Sequence, residues 1–340
     1  MPLLPPVRTR EEYLGSPRDE ATYRPAVQAI CRRHGLPADR LAKYAGGSTI
    51  VFAVGERHVV KLFEPIFAEA AAIERAVLSH VHGKLGIPTP GVVAAGVLEG
   101  WSYVVMDQLA GVCLRDARDE LSWADRLRVC ERVGGAVARL HALPTASVAL
   151  PALDWPEFLR RQARSCVERQ RAHGLAEHWL RQIPGYLASV ELPQGPPVLL
   201  HTEVMRDHAL VRRGADGWDV SGLFDFEPAM LGAPEYELGS VGIFLSGGEP
   251  TLFRAFLRGY GYADAELTPE LQRRILACTL LHRYSNLKWY LETVPPKGAT
   301  TLGGLAAEWF AFDAAAAGPA PRGAAADGAP RILPAERFGV

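Results

Sequence analysis

Apolar runs in the first third of the chain predict a small β-rich unit. Residues 45–63 read AGGSTIVFAVGERHVVKLF, where two apolar runs flank a turn at residues 55–57 and so predict a hairpin. Two further apolar segments, at 91–97 and 101–106, predict additional strands. Lys61 lies alone inside the second apolar run of the hairpin, and a charged side chain in such a strand is a candidate for function.

Helical periodicity dominates between and after these strands. Apolar residues recur at helical spacing over residues 66–82 and 123–141, and residues 21–34 form another predicted helix, which Gly35 would end. The arginine-rich stretch 151–193 predicts two amphipathic helices. The pattern therefore predicts an α+β protein in which a strand-rich part precedes a mainly helical one.

Residues 198–227 form the segment with the clearest chemical content. They read VLLHTEVMRDHALV and WDVSGLFDFE around a glycine- and aspartate-containing turn at 213–217, which predicts two paired strands. The carboxylates of Glu203 and Asp225 would lie near one end of that hairpin and face a common cleft. Phosphoryl transfer uses two such acids, one for the acceptor hydroxyl and one for the Mg²⁺ that binds the nucleotide phosphates.

Composition narrows the range of partners. The chain has 340 residues, 48% of them hydrophobic, which is enough for two lobes with complete cores. Its net charge of −1 and isoelectric point near 6.8 give no electrostatic basis for binding nucleic acid or an anionic membrane. We find neither an apolar run long enough to span a membrane nor a secretion signal at the amino terminus.

Cysteine usage favours a reducing compartment. The cysteines are dispersed and odd in number, without the spacing of a metal site: Cys31, Cys113, Cys130, Cys166 and Cys278. Such a set predicts free thiols and a cytoplasmic location.

Two short motifs follow the spacing of a catalytic loop and a metal-binding strand. The first is His201-Thr202-Glu203 with His208 five positions after Glu203, and the second is LFDFE at residues 223–227. These residues resemble the aminoglycoside phosphotransferase family, relatives of choline kinases and protein kinases. That family has a histidine-glycine-aspartate loop, an asparagine five positions later and an isoleucine-aspartate-phenylalanine strand. The register agrees, but glutamate and histidine replace the family's aspartate and asparagine.

The resemblance implies a two-lobed protein kinase-like fold, with a small β-rich N-lobe that holds one helix and a larger, mainly α-helical C-lobe. Backbone groups of the hinge, the Asp107 carbonyl and the Leu109 amide, would bond the adenine edge. The implied divisions are an irregular lead-in at 1–20, the N-lobe at 21–106, the hinge at 107–111, the C-lobe at 112–312 and an alanine-, glycine- and proline-rich tail at 313–340.

The resemblance also implies a nucleotide site, with ATP and Mg²⁺ as cofactors. Lys61 would contact the α- and β-phosphates of the nucleotide. Its carboxylate partner would be Glu74 or, one turn earlier, Glu69. Gly47 and Ser48 would belong to a glycine-containing hairpin over the phosphates.

In the catalytic part of the site, Asp225 would bind Mg²⁺ and Glu203 would orient or deprotonate the acceptor hydroxyl. Mg²⁺ prefers oxygen ligands, whereas neutral imidazole suits zinc, copper and iron. His208 would therefore hydrogen-bond a phosphate or hold Glu203 instead of replacing asparagine as a ligand. Asp207 is an alternative acid, and His201 would hold the catalytic loop.

The acceptor is the least defined part of the prediction. The resemblance implies transfer of the γ-phosphate of ATP to a hydroxyl of a small polar acceptor, an aminoglycoside-like antibiotic or a related metabolite. An antibiotic-resistance kinase, a choline or sugar kinase and a biosynthetic kinase all fit, in a monomer or a homodimer. Tyr284, Trp289 and Tyr290 are candidates for an acceptor wall, although core packing explains aromatic residues at that spacing as well. Acids that could meet a cationic acceptor are Glu227, Glu235, Asp264, Glu266 and Glu292.

Two alternatives to an active kinase remain. The replacements at Glu203 and His208 are compatible with a catalytically degenerate kinase fold that acts as a nucleotide-binding module. Turnover of ATP to a phosphorylated product would separate an enzyme from such a module. His201 and Glu203 also match half of a zinc deaminase signature, but that signature needs a Cys-x-x-Cys element, which the sequence lacks.

Overall fold

A five-stranded antiparallel sheet forms the first lobe of the protein. This computed structural model describes residues 2–312, and the predicted tail at 313–340 lies outside the described residues. The order of strands in the sheet, β1-β2-β3-β5-β4, places β3 and its Lys61 at the centre. The predicted strands are confirmed as β2 (Ile50–Val54), β3 (His58–Phe63), β4 (Val92–Leu98) and β5 (Trp101–Asp107), and β1 (Leu41–Lys43) is a further strand that the pattern did not predict.

Three helices accompany this sheet, namely α1 (Arg10–Gly15), α2 (Glu20–Arg33) and α3 (Ala68–Val81). The predictions of α2 and α3 are confirmed. The segment 1–20 is predicted to be irregular, and this prediction is wrong for α1. A capping box explains the helix, because the Thr9 side chain accepts from the Glu12 amide and the Glu12 carboxylate accepts from the Thr9 amide. Tyr13, only 1% exposed, fixes α1 to the core of the lobe.

The second lobe is mainly helical, and the helix predicted at 123–141 is confirmed as its longest. Its helices are α4 (Leu114–Ala117), α5 (Trp123–Ala142), α6 (Trp155–Ala172), α7 (Glu177–Leu180), α8 (Ile183–Ala188), α9 (Glu235–Ser240), α10 (Pro250–Tyr260), α11 (Pro269–Leu280), α12 (Leu287–Thr293) and α13 (Leu302–Trp309). Among residues 2–312, no helix is both long enough and apolar enough to cross a bilayer.

The stretch 151–193 contains three helices, α6 to α8, and the prediction of two is wrong. Gly174 adopts a left-handed conformation (φ +77°) just after α6 and ends it. A proline near the start of α8 suits a new helix, because its missing amide proton is not needed there.

Two small sheets flank the loops on which the residues of the two motifs lie. One contains β6 (Val112–Cys113), β8 (Ala209–Gly214) and β9 (Gly217–Leu223), and the other contains β7 (Val198–Leu200) and β10 (Met230–Gly232). The predicted hairpin is confirmed for β8 and β9, but Val198–Leu200 pairs with β10 and is not part of it. A left-handed turn at Thr202 (φ +72°) and a 3₁₀ turn at Arg206–His208 separate β7 from β8. Glu203 therefore lies on a loop between two sheets.

Helix α5 packs along α10 with backbone in contact and supports the strands of the site. A Cβ at Gly134 would lie 2.1 Å from the Phe256 carbonyl oxygen, and one at Gly259 would lie 2.0 Å from that of Glu131. Helix α5 also contacts β7 and β9. The helix pair therefore supports β7, which precedes the loop of Glu203, and β9, which precedes Asp225.

Candidate active site

Lys61 lies at the centre of a cluster of carboxylates. Its Nζ is 2.5 Å from Glu74 Oε2, 2.6 Å from Asp225 Oδ1 and 2.9 Å from Glu227 Oε2. The lysine and Glu74 belong to the first lobe, on β3 and α3, whereas Asp225 and Glu227 follow β9 in the second lobe. The cluster therefore joins the two lobes. Glu69, the alternative partner of the lysine, is exposed.

The charges in this cluster favour a cationic ligand. Burial by itself would lower the pKa of Lys61, but Asp225, Glu227 and Glu74 together raise it well above its usual value, so the ammonium stays charged. Burial raises the pKa of Glu74, and Lys61 opposes that rise. Three carboxylates around one ammonium leave an excess of negative charge, which a divalent cation would neutralise.

His201 holds the loop of Glu203 through both ring nitrogens. Its Nδ1 accepts a hydrogen bond from the Glu203 amide (3.3 Å), and its Nε2 donates to the Phe224 carbonyl (3.0 Å). Burial lowers the pKa of His201, in agreement with a neutral ring that has one acceptor and one donor nitrogen. The His201 amide donates to the buried carboxylate of Glu237 (2.7 Å). Because both ring nitrogens bond the protein, this geometry argues against His201 as a zinc ligand.

Glu203, His208 and Asp225 come together, with ligand atoms that lie within 4.8 Å of one another. His208 Nδ1 donates to the Glu203 carbonyl (2.9 Å), and His208 Nε2 lies 3.0 Å from Asp225 Oδ2. The imidazole thus connects the catalytic loop to the acid that follows β9. Asp207, the alternative acid, instead pairs with Arg115 and is partly exposed.

Backbone strain is concentrated at the same point. Thr202 (φ +72°) and Asp225 (φ +70°) are left-handed, a conformation that is costly for a β-branched residue such as threonine. Thr202 is fully buried, and its hydroxyl donates to the Pro228 carbonyl (3.1 Å). The family motif that this segment resembles has glycine at this position. This chain has a left-handed turn here although threonine does not favour one. Strain of this kind is typical of functional sites.

The turn between β1 and β2 carries Gly47 and Ser48. The left-handed backbone of Gly47 (φ +97°) favours glycine. The carbonyl of the buried Ser48 accepts hydrogen bonds from the Tyr13 hydroxyl (2.9 Å) and from Arg18 Nη1 (3.1 Å). The amino-terminal segment therefore holds this turn, a contact that the sequence does not predict.

The predicted hinge crosses from the first sheet to the second. Asp107 ends β5, and its carboxylate accepts a hydrogen bond from the Gly91 amide (3.2 Å). The side chain of Leu109 packs over Gly222, where a Cβ would lie 2.5 Å from Leu109 Cδ1. Both hinge residues are thus fixed against neighbouring strands.

A small pocket with a volume of about 40 Å³ lies beside Glu203. One wall is the π-helical turn Val241–Leu245, which continues α9, and such turns are frequent at functional sites. The predicted wall residues Tyr284, Trp289 and Tyr290 all line the pocket. The complete aromatic and imidazole lining is Tyr236, Phe244, His282, Tyr284, Trp289 and Tyr290.

Sequence reasoning identifies most of the charged cluster and misses its surroundings. The structure brings together five predicted residues, Lys61, Glu74, Glu203, His208 and Asp225. The roles of Glu237, Phe244 and His282 were not predicted, since these residues reach the site only through helix packing. Glu237 lies two residues after Glu235 on α9, and only its burial in the structure distinguishes it from that neighbouring acid.

The fold and the site define a two-lobed, kinase-like phosphotransferase. A sheet lobe presents a lysine–glutamate pair to the acids of a helical lobe. Residues 40–272 match the model of a family described as the phosphotransferase enzyme family. The match covers more than half of the chain, and the chain belongs to this family. Helices α1 and α2 precede the matched region.

Solved structures of aminoglycoside phosphotransferases share the fold. A GDP complex of the wild-type aminoglycoside 2'-phosphotransferase-IIIa has a TM-score of 0.66 and 15% identity, with 81% of this chain and 97% of that chain covered. A complex of APH(4)-Ia with ADP and hygromycin B has a TM-score of 0.59 and 17% identity, with 84% and 98% covered. At 15% and 17% identity, these similarities show a shared fold and not a shared substrate.

A curated relative is the lysine-specific demethylase JMJ21 of Arabidopsis thaliana, which is 22% identical over 224 residues. The match covers 53% of this chain but 23% of that protein. The chain thus spans about a quarter of the length of the curated relative that it matches.

Proposed function

We propose that this phosphotransferase transfers the γ-phosphate of ATP to a hydroxyl of a small polar acceptor, an aminoglycoside-like antibiotic or a related metabolite. The observation that carries the proposal is the convergence of Lys61, Asp225 and Glu203 where the lobes meet. Similar structures described as a GDP complex and as a streptomycin–ATP complex support a nucleotide as the phosphate donor.

In this proposal the first lobe binds the nucleotide. Lys61, oriented by Glu74, contacts the α- and β-phosphates. The turn at residues 47–48 covers the phosphates, and the backbone of Asp107 and Leu109 bonds the adenine edge. The lobe boundaries in this proposal are those of a lead-in at 1–20, an N-lobe at 21–106, a hinge at 107–111 and a C-lobe at 112–312.

Glu203 acts on the acceptor. The hydroxyl oxygen attacks the γ-phosphorus, the bond from that phosphorus to the bridging oxygen breaks, and ADP leaves with the electron pair. The hydroxyl proton passes to the Glu203 carboxylate. Because the transition state is loose, positioning and charge neutralisation supply most of the acceleration, which a carboxylate on a longer arm still allows.

The donor set fits a divalent cation. Glu203, His208 and Asp225 form one group of potential ligands, and Glu74, Asp225 and Glu227 form another. These are mostly carboxylate oxygens, which suit Mg²⁺. Asp225 belongs to both groups and would hold the ion, which when bound neutralises charge on the phosphates.

We also propose a cytoplasmic location, and a role in antibiotic resistance if the acceptor is an antibiotic. In the described part of the chain all five cysteines are free thiols, which supports a reducing compartment.

Incubation with Mg-ATP and a panel of hydroxyl compounds tests the proposed function. We expect ADP formation together with a product heavier than its acceptor by one phosphoryl group, detected by mass spectrometry. Lys61→Ala should abolish both signals, and Lys288→Ala, an exposed lysine on α12, should leave them unchanged. ATP binding without turnover across the panel would instead favour the nucleotide-binding module.

A further inference from the structure

The lining of the pocket beside Glu203 carries little charge. Of the described residues that line it, Glu203 alone has a carboxylate, and none is lysine or arginine. Burial lowers the pKa of His282 to about 4, so its imidazole is neutral at pH 7. The acids that the sequence offers for a cationic acceptor lie outside this lining, namely Glu227, Glu235, Asp264, Glu266 and Glu292.

The hydroxyl groups of the wall are engaged with the protein itself. Thr279 Oγ1 donates to the Ile275 carbonyl (2.7 Å), and Ser240 Oγ donates to the Glu237 carbonyl (2.9 Å). A hydroxyl has one proton to donate. These two side chains therefore have no proton left for a ligand while these bonds persist.

Asn286 and Tyr290, which also line the pocket, likewise form hydrogen bonds with the protein. Asn286 Oδ1 accepts from the Trp289 amide (3.0 Å), and the Tyr290 hydroxyl donates to the Tyr284 carbonyl (3.3 Å). Asn286 thereby caps α12. Trp289 Nε1 and His282 Nε2 are buried without a hydrogen-bond partner among the described residues, so these nitrogens remain available to a ligand. Two such atoms are few for the many hydroxyl and amino groups of a sugar.

Aromatic faces form the rest of the surface. The rings of Phe244 and Trp289 are stacked with centroids 4.7 Å apart, and those of Tyr236 and His282 are stacked at 4.7 Å. Tyr290 meets Phe244 edge to face at 5.5 Å. Rings that fix one another form a firm apolar wall, which binds ligands through dispersion and burial of apolar area.

Of the two acceptors named in the proposed function, we propose the metabolite, a neutral alcohol with a flat, apolar body, and not a polycationic aminoglycoside. This inference rests on the proposed function, since it takes Glu203 as the group that meets the acceptor hydroxyl. A polycation in this pocket would lose hydration with one carboxylate to meet its several charges, which is unfavourable. A neutral apolar body gains free energy from burial against the rings.

Ligand-observed NMR on the full chain with bound Mg-ADP tests the inference, with 2-phenylethanol and kanamycin A as probes. We expect saturation transfer to 2-phenylethanol and none to kanamycin A at physiological ionic strength. Trp289→Ala should weaken the binding of 2-phenylethanol about tenfold, through loss of ring contact and apolar area. Trp123→Ala, an exposed tryptophan on α5 outside the pocket, is the matched control.

Asn286→Asp adds a carboxylate to the pocket without removing the cap of α12, because aspartate caps helices as well as asparagine does. We expect this variant to bind kanamycin A at least about tenfold more tightly than the wild type does, since an opposite charge now lies in the wall. Thermal unfolding of each variant shows whether it retains the fold.

Three results would overturn the inference: kanamycin A binding the wild type more tightly than 2-phenylethanol does, no binding of 2-phenylethanol, or unchanged binding in Trp289→Ala. These are binding measurements and need no turnover. Retained binding of 2-phenylethanol with no ATP turnover on any acceptor would therefore count against the proposed function alone. Efficient phosphorylation of kanamycin A would count against the acceptor class alone.

Discussion

His208 stands where the family that the chain resembles has an asparagine, and its ring lies between the Glu203 carbonyl and Asp225. Nδ1 gives its proton to the Glu203 carbonyl, so in a neutral ring Nε2 is an acceptor, 3.0 Å from Asp225 Oδ2. At that distance the nitrogen and the carboxylate attract each other when a proton or a metal cation lies between them. A histidine whose other nitrogen bonds a carbonyl is the usual arrangement of a metal ligand.

We expect His208→Asn to change the metal preference. A first-row ion such as Mn²⁺ accepts imidazole more readily than Mg²⁺ does. The variant should therefore reduce the Mn²⁺ to Mg²⁺ affinity ratio of the wild type by about tenfold, a usual effect of changing ligand surroundings. Electron paramagnetic resonance of bound Mn²⁺ should show nitrogen coupling that the variant lacks. Equal nitrogen coupling in both proteins would rule out His208 as a ligand.

Glu203 provides a second prediction for single residues. Glu203→Ala should lower kcat by about 10²–10⁴, the usual contribution of a general base. Nucleotide affinity, measured by calorimetry, should change little, since the phosphate contacts are assigned to other residues. Asp207→Ala is the control and should retain activity, because Asp207 pairs with Arg115 away from the cluster. A larger loss in Asp207→Ala than in Glu203→Ala would reverse the assignment.

Among the elements, the pair α5 and α10 depends on the absence of side chains at the contact. Gly134→Ala would place a methyl group 2.1 Å from the Phe256 carbonyl oxygen, so we expect a loss of stability of about 1–3 kcal/mol from overpacking. Gly135→Ala is a control in the same helix, since its methyl would lie 3.5 Å from Gly259 O and alanine favours helices by up to about 1 kcal/mol. Chemical denaturation measures both, and similar effects would contradict the close contact.

Glu64, which directly follows β3, should make the stability of the protein depend on pH. Burial raises the pKa of Glu64 to about 7, against an ordinary 4.5, although Arg18 pairs with it at 3.2 Å. The folded protein thus binds a proton that the unfolded chain releases, so this contribution to stability is full below pH 4.5 and is lost as the pH rises through 7.

Glu64→Gln should remove this dependence. From pH 5 to pH 8, the stability of the variant relative to the wild type should rise by on the order of 3 kcal/mol, at about 1.4 kcal/mol for each unit of pKa shift. Unfolding at several pH values measures the change. Glu69→Gln, at an exposed position on α3, should show no such trend. A constant difference between Glu64→Gln and the wild type would mean that Glu64 stays ionised in the folded protein.

In the whole molecule, residues before the family match hold a turn of the proposed nucleotide site. The match begins at residue 40, yet Tyr13 and Arg18 hold the carbonyl of Ser48 in the glycine-containing turn. Tyr13→Phe removes a buried hydrogen bond worth about 0.5–1.5 kcal/mol. We expect the KM for ATP to rise about twofold to tenfold, with kcat nearly unchanged. Tyr186→Phe, which loses a comparable bond to the Arg273 carbonyl far along the chain, should leave the KM unchanged.

The sequence by itself determined most helices and strands and identified the charged residues that lie together in the structure. Alternation and helical spacing are local properties, and so strands β2 to β5 and helices α2, α3 and α5 agree with prediction. Lys61 stood out because a charge in an apolar strand is costly without partners. The spacing from Glu203 to His208 and Asp225 indicated a catalytic loop only through the resemblance to the family, whose motif register is a local property of the sequence.

Only the tertiary structure decided which partners these residues meet. Glu74 and Glu69 are equivalent in sequence, and the packing of α3 against β5 brings Glu74 alone to Lys61. The strand Val198–Leu200 pairs with β10 because the strained turn at Thr202 redirects the chain. The pocket is built from three distant segments, whose hydroxyl and amide groups bond their own backbone. Each of these bonds is local, but the packing that brings the three segments around one pocket joins residues far apart in the chain, and no local pattern encodes it.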